Sequence, residues 1–219
     1  MKLLCIVLCL VGYLPAAGQT MPVPVDTTLR RTLSAIYRAD QDIRRQYMQI
    51  LDQSGRHSRP ADSLGRLMQR TDSLNLQQVR QILDAHGWVS YQRIGSEANQ
   101  ALFLVIQHAD LPTQQRYLPW LRRAVHRHEA QPSALALLQD RVALDRGRRQ
   151  SFGSQIGFDE ATNTAYVLPL RCPARVDARR RRMGLGPLAE YVRQYNITWN
   201  AAAHRRACRS KGSTLWSSH

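Results

Sequence analysis

From Leu29 onward the apolar positions Leu29, Leu33, Ile36, Ile43, Tyr47 and Ile50 keep to one face of a 3.6-residue period, which predicts an amphipathic helix to about Asp52. Asp40 falls inside that apolar stripe. The polar stretch from Gln53 to Ala61 breaks the pattern, and a second helical region follows through Leu64, Leu67, Met68, Leu76, Val79, Ile82 and Leu83 until Gly87 stops it. Residues from Trp88 to Gly95 read as a loop. The next helix, from Ala98 to Ala109, carries the run Ala101 to Ile106, apolar nearly all round, and is therefore expected at the centre of the core. Pro112 and Pro132 each open a further helix, and Pro119 should kink the first of these or mark its true start.

The period then changes from helical to alternating. Phe152, Ser154, Ile156 and Phe158 alternate with other residues, Asp159 to Asn163 supplies turn residues, and Thr164 to Leu170 is β-prone, so a β-hairpin is expected. Residues 175–183 and 187–195 read as two short basic helices, and the chain beyond Asn196 shows little periodicity. The expected fold is mainly α, a compact helical domain with one β-hairpin near the C-terminal third. Residues 1–18 read as a signal peptide, 19–28 as an extended lead-in, 29–195 as the single domain and 196–219 as a basic, poorly ordered tail.

The N-terminal reading rests on Lys2, the apolar run from Leu3 to Leu14 and the small residues Ala16, Ala17 and Gly18. At about a dozen residues the run is shorter than the roughly 20 needed to span a bilayer. Cleavage there would export a protein with no transmembrane helix, to the periplasm or outside the cell. It would also remove Cys5 and Cys9, leaving Cys172 and Cys208 either as a disulfide or as two free thiols.

Composition adds a strong charge, +15 from 31 Lys+Arg against 16 Asp+Glu, and 43% hydrophobic residues, enough for a real core. All the basic residues but Lys2 and Lys211 are Arg, and residues 171–219 hold eleven of them against two acids, Asp177 and Glu190. A phosphate-binding surface more usually mixes Arg with Lys. With export, this argues against nucleic acid as a partner and leaves an unknown small molecule or a protein. The run Arg179 to Arg182 reads either as a solvated helix face or as an anion-binding patch.

Three polar groups could carry chemistry. Asp40, on an apolar stripe, must be paired, hydrogen-bonded or protonated, and Arg44 is the local partner available. Gln107-His108-Ala109-Asp110 ends the most buried helix, where Asp110 could orient His108 as a general base. Gln150 to Gln155 carries Gly153, a sign of close backbone approach, and puts the two glutamines on opposite strand faces unless a bulge shifts the register; Asp140 and Arg141 on the preceding helix could complete that cluster. No Cys/His cluster, Walker loop, dinucleotide fingerprint or GxSxG elbow is present, so no metal or cofactor is expected.

Asp40-Gln41, Asn75, His86-Gly87-Trp88, Gln107-His108-Ala109-Asp110, Asp140-Arg141-Val142, Gln150-x-Phe152-Gly153-Ser154-Gln155 and Val176-Asp177-x-Arg179-Arg180 with Gly184-Leu185 together resemble, in order and spacing, a bacterial family catalogued as domain of unknown function 6624. The resemblance covers roughly residues 29–194. It departs at Phe152 and Ser154, where the family pattern has Tyr and Thr, and at Val89, where Pro commonly follows the Trp. It implies a mainly helical domain and supplies no activity.

The expectation is a binding or interaction module with a polar pocket where Asp40, His108, Asp110 and Gln155 converge, with Gln107, Asp140, Arg141 and Gln150 as further ligand-binding candidates. Two alternatives stand beside it. One is a hydrolase with His108 as base and Asp110 and Asp40 as its carboxylates, and the other is anionic-surface binding through the basic C-terminal segment.

Overall fold

A computed structural model of the chain describes residues 24–55, 58–159 and 162–210. The proposed signal peptide and the last nine residues lie outside the described residues. Nine α-helices and one two-stranded antiparallel hairpin make up the regular structure among the described residues.

Two long helices come first, α1 (Thr27–Ser54) and α2 (Arg59–His86), each 28 residues and so about 42 Å long. Asp26 caps α1 by accepting from Leu29 N at 2.9 Å, and Ser58 caps α2 by accepting from Ala61 N at 3.3 Å. The reversal between them lays α2 back along α1, which also packs on α4 (Ser96–His108). Leu33 and Ile36 of α1, Val79 and Leu83 of α2 and Leu102 and Ile106 of α4 meet in the main core. The helix whose sequence is apolar nearly all round is thus the one surrounded on all sides, as its pattern requires.

Two further helices, α5 (Leu111–His126) and α6 (Pro132–Asp145), close that core through Tyr117, Leu121, Leu135 and Leu138. Pro119 neither ends nor starts a helix; α5 runs through it. The segment expected as a plain loop after Gly87 contains a single helical turn, α3 (Tyr91–Ile94), whose N-terminus Ser90 caps by accepting from Gln92 N at 3.2 Å.

The C-terminal third is built differently. The hairpin is shorter than its alternating pattern suggests: β1 (Ile156–Asp159) pairs with β2 (Thr164–Val167), Ile156 opposite Val167. Residues 151–155 leave the strand and form a loop, because a buried carboxylate from α6 claims their amides, as described below. A 3-10 turn (Pro173–Arg175), α7 (Val176–Arg182) and α8 (Leu188–Arg193) follow, gathered on a second small core of Val167, Leu170, Val176, Leu188 and Val192. Beyond Asn196 the chain forms a helix, α9 (Ala201–Ser210), where the sequence suggested an unpatterned tail. Its Ala-rich stretch has good helix propensity, and Ala203, Ala207 and Cys208 share a face that borders one cavity with Ile197 and Trp199. It is fastened by His204, whose Nε2 accepts from Leu170 N at 3.3 Å and whose ring packs on Trp199. Cys172 and Cys208 are free thiols.

Gly153 sits at φ +70°, and a Cβ there would lie 2.9 Å from both methyls of Leu188, which is fully buried. The close approach that a glycine in this segment implies is therefore made by the protein itself. Gly87, at φ +69°, has open space where its Cβ would be. Gly153→Ala should carry both backbone strain and a clash and lower stability by about 1–3 kcal/mol, whereas Gly87→Ala should cost about 1 kcal/mol from strain alone. Urea denaturation of the two variants should separate them in that order.

Candidate functional site

The polar candidates fall into two groups that share no hydrogen bond. The first gathers where α1, α2 and α4 meet. Asp40, on the inward face of α1, is 1% exposed. Its Oδ1 lies 3.1 Å from His108 Nδ1 and 3.2 Å from Arg44 Nη2, while Oδ2 accepts from Gln41 Nε2 at 2.7 Å. Arg44 continues across to α2, where its Nη2 meets Asp72 Oδ1 at 2.7 Å. A carboxylate on an apolar stripe thus has both partners it needs, the local Arg44 and the distant His108. Burial alone would raise the Asp40 pKa, but the hydrogen bond and charge of His108, with those of Arg44, outweigh it and bring the carboxyl down from 3.8 to about 2.

Ligand atoms of Asp40, Asp72 and His108 all lie within 4.8 Å of one another, a spacing that could hold a cation. The Arg44 guanidinium already bridges the two carboxylates and supplies the positive charge there. A metal ion would have to displace it, so the donor set reads as an ion-pair network.

His108 borders a cleft of about 260 Å³ together with Asp72, Arg80, Asp110 and Thr113. Asp110 does not orient the imidazole, contrary to the expectation. It caps α5, with Oδ1 accepting from Thr113 N at 3.1 Å, and that bond lowers its pKa. Asp40 takes the orienting role instead. A neutral His108 donating from Nδ1 to Asp40 keeps the lone pair on Nε2, which has no partner among the described residues. Beside it, the Oε1 atoms of Gln107 and Gln114 are buried without partners, although Gln114 Nε2 donates to the main-chain oxygens of Gln107 and Ala109.

The second group surrounds Asp140. Its carboxylate, fully buried on α6, accepts from Ser151 N at 2.6 Å, Phe152 N at 3.0 Å, Ser154 N at 3.0 Å and Ser154 Oγ at 3.0 Å. Burial pushes its pKa up, against the opposing pull of those bonds. The loop so formed lets Gln150 and Gln155 meet without a β-bulge: Gln150 Nε2 donates to Gln155 O and Gln155 N donates to Gln150 Oε1, each at 2.9 Å. Gln155 therefore belongs to a structural clamp and does not join Asp40 and His108, which corrects the expected convergence. Arg141, next to Asp140, goes the other way. Burial lowers its pKa, with Asp145 opposing and the charge of Arg44 adding, and its Nε is buried without a partner.

Residues 27–202 match a family of unknown function, DUF6624. The chain belongs to this family. No curated protein and no solved structure matches it. In this DUF6624 domain four of the motifs that carried the resemblance fall in these groups, Asp40-Gln41 and the segment Gln107 to Asp110 in one, Asp140 and Gln150 to Gln155 in the other, while Asn75 and His86-Gly87-Trp88 lie in neither.

Three functional-site neighbours escaped the sequence reading. Asp72 shares the four-residue spacing of Leu64, Met68 and Leu76, the same interruption of an apolar stripe that singles out Asp40. Arg179 and Arg180 looked like part of a solvated face, but Arg179 donates to Ser151 O at 2.7 Å and Arg171 O at 2.6 Å, and Arg180 is 2% exposed. Arg180 follows the buried Val176 by four residues, which places it on the inward face of α7. No helix among the described residues is long and apolar enough to cross a membrane.

The depressed pKa of Asp40 makes stability pH-dependent in this DUF6624 domain. The folded state holds the ionised form, so the contribution is complete above the ordinary carboxyl pKa and is lost as pH falls toward about 2. At about 1.4 kcal/mol per pKa unit it amounts to roughly 2 kcal/mol. Between about pH 5 and pH 2 the native chain should lose roughly that much more stability than Asp40→Asn, measured by urea denaturation at each pH; parallel curves would refute the pairing.

Proposed function

We propose that this domain is a binding module whose polar cleft beside His108 takes a small hydrogen-bonding ligand, with His108 as the central contact. The Asp40–His108 pair carries the reading. A buried, ionised carboxylate fixes the ring and its tautomer, and the other ring nitrogen has no partner among the described residues beside a cleft that also contains Arg80 and Asp110. Such a fixed imidazole is preorganised, which lowers the ordering cost of binding. The N-terminal run from Leu3 to Leu14 supports an exported location for this activity.

The same geometry supports a second reading, a hydrolase in which His108 Nε2 takes a proton from water while Asp40 stabilises the imidazolium that forms. The third reading, anionic-surface binding through the basic segment, has less support because Arg179 and Arg180 use their donors inside the protein.

An NMR screen of small polar compounds against the full chain, read at the His108 ring, tests the first reading. At least one compound should shift that resonance and lose its binding in His108→Ala; if none does, or if binding survives the substitution, the reading falls. Panels of chromogenic esters, phosphoesters and glycosides test the second. Turnover that drops by about 10²-fold or more in His108→Ala is the expected signature, and turnover indifferent to His108 would remove it.

A further inference from the structure

Where the helical body meets the C-terminal third lies a pocket of about 310 Å³, walled by Tyr91, Phe103 and Leu137 on one side and by Ser154, Arg180 and Tyr191 on the other. It shares no lining residue with the cleft at His108. Its size falls at the lower end of the ~300–1,000 Å³ typical of small-molecule sites, and its walls are mostly apolar, as such sites usually are.

One polar group in this wall lacks a counterpart. Arg180 donates from Nε to Gly186 O at 2.6 Å and from Nη1 to Phe152 O at 2.7 Å, both neutral acceptors, and its guanidinium lies over the Tyr191 ring, 5.0 Å from the centroid. Among the described residues Nη2 makes no hydrogen bond and Arg180 forms no ion pair. The acids whose charge reaches it are engaged elsewhere: Asp140 with the 151–154 amides, and Asp177, whose Oδ1 accepts from Leu188 N at 2.8 Å.

A buried guanidinium without a counter-ion is unfavourable when left unanswered. We propose that this pocket binds a small amphipathic carboxylate, an aromatic or medium-chain aliphatic acid, whose charged end meets Arg180 Nη2 while its apolar body lies against Phe103 and Leu137. A phosphate could satisfy the guanidinium equally well but would set a strongly hydrated group against apolar walls. The site is independent of the reading at His108.

Titration calorimetry of the full chain with phenylacetate, hexanoate and octanoate, each beside its neutral amide, tests the proposal. At least one acid should bind saturably, with its amide at least about tenfold weaker, because the charge-assisted bond is lost. Arg180→Gln also removes the bonds to Gly186 and Phe152, so it confounds binding with folding. Ala134→Phe is the cleaner variant, since Ala134 lines the pocket from a half-buried position on α6 and should fill it without touching those bonds. It should abolish acid binding while leaving the urea midpoint near that of the parent. The proposal is overturned if no acid binds at millimolar concentration, if acid and amide bind alike, or if Ala134→Phe binds the acid as tightly as the parent.

Discussion

The carboxylate of Asp140 holds the two parts of this molecule in register. A buried anion has to be met by donors, and here all of them come from one short stretch, the amides of Ser151, Phe152 and Ser154 and the Ser154 hydroxyl. That requirement overrides the alternating pattern that would have continued the hairpin strand back to Gln150. It also sets the positions of groups further out. Phe152 O, turned by the loop, accepts from Arg180, Ser151 O accepts from Arg179, and Ser154 O accepts from the Tyr191 hydroxyl. The short helices α7 and α8 are thereby tied to the helical body through this side chain and the loop it orders, alongside Met183 at the end of α7, which packs against the main core.

Asp40 is an equally buried carboxylate with a different outcome. Its partners are side chains, His108, Arg44 and Gln41, and one of them borders a cleft. Three main-chain amides and one hydroxyl of a single loop make Asp140 a structural anchor. The donors to Asp40 come from two helices, and the imidazole it orients borders solvent-accessible space. The contrast separates candidates that their sequence context alone left grouped together.

The helical body was legible because its apolar positions follow the helix period, with Gly87 marking one helix end and Pro112 and Pro132 marking helix starts. Asp40 and His108 were each visible as polar oddities, but their meeting was not, since 68 residues separate them and no local pattern records which helix faces which. The loop at 151–155 was misread because alternation describes side chains, while here the backbone amides decide the conformation. The helix α9 was missed because the face it turns toward Trp199 carries small residues, Ala203, Ala207 and Cys208 beside His204, in place of the large apolar ones that mark the other helices. Arg180 was hidden by its neighbours: in a run of four arginines only the spacing from Val176 marks the one that points inward.

Asp140 and Arg141 are consecutive on α6, yet one orders the C-terminal loop while the other lies within charge range of Arg44 in the first cluster. Successive residues on a helix point about 100° apart, and a packed helix has no slack along its axis. The anchor at Asp140 is therefore indexed to the rotational setting of α6. A single inserted or deleted residue upstream in that helix would swing the carboxylate away from the amides of residues 151–154, so α6 should tolerate changes of side chain on its outer face far better than any change of length.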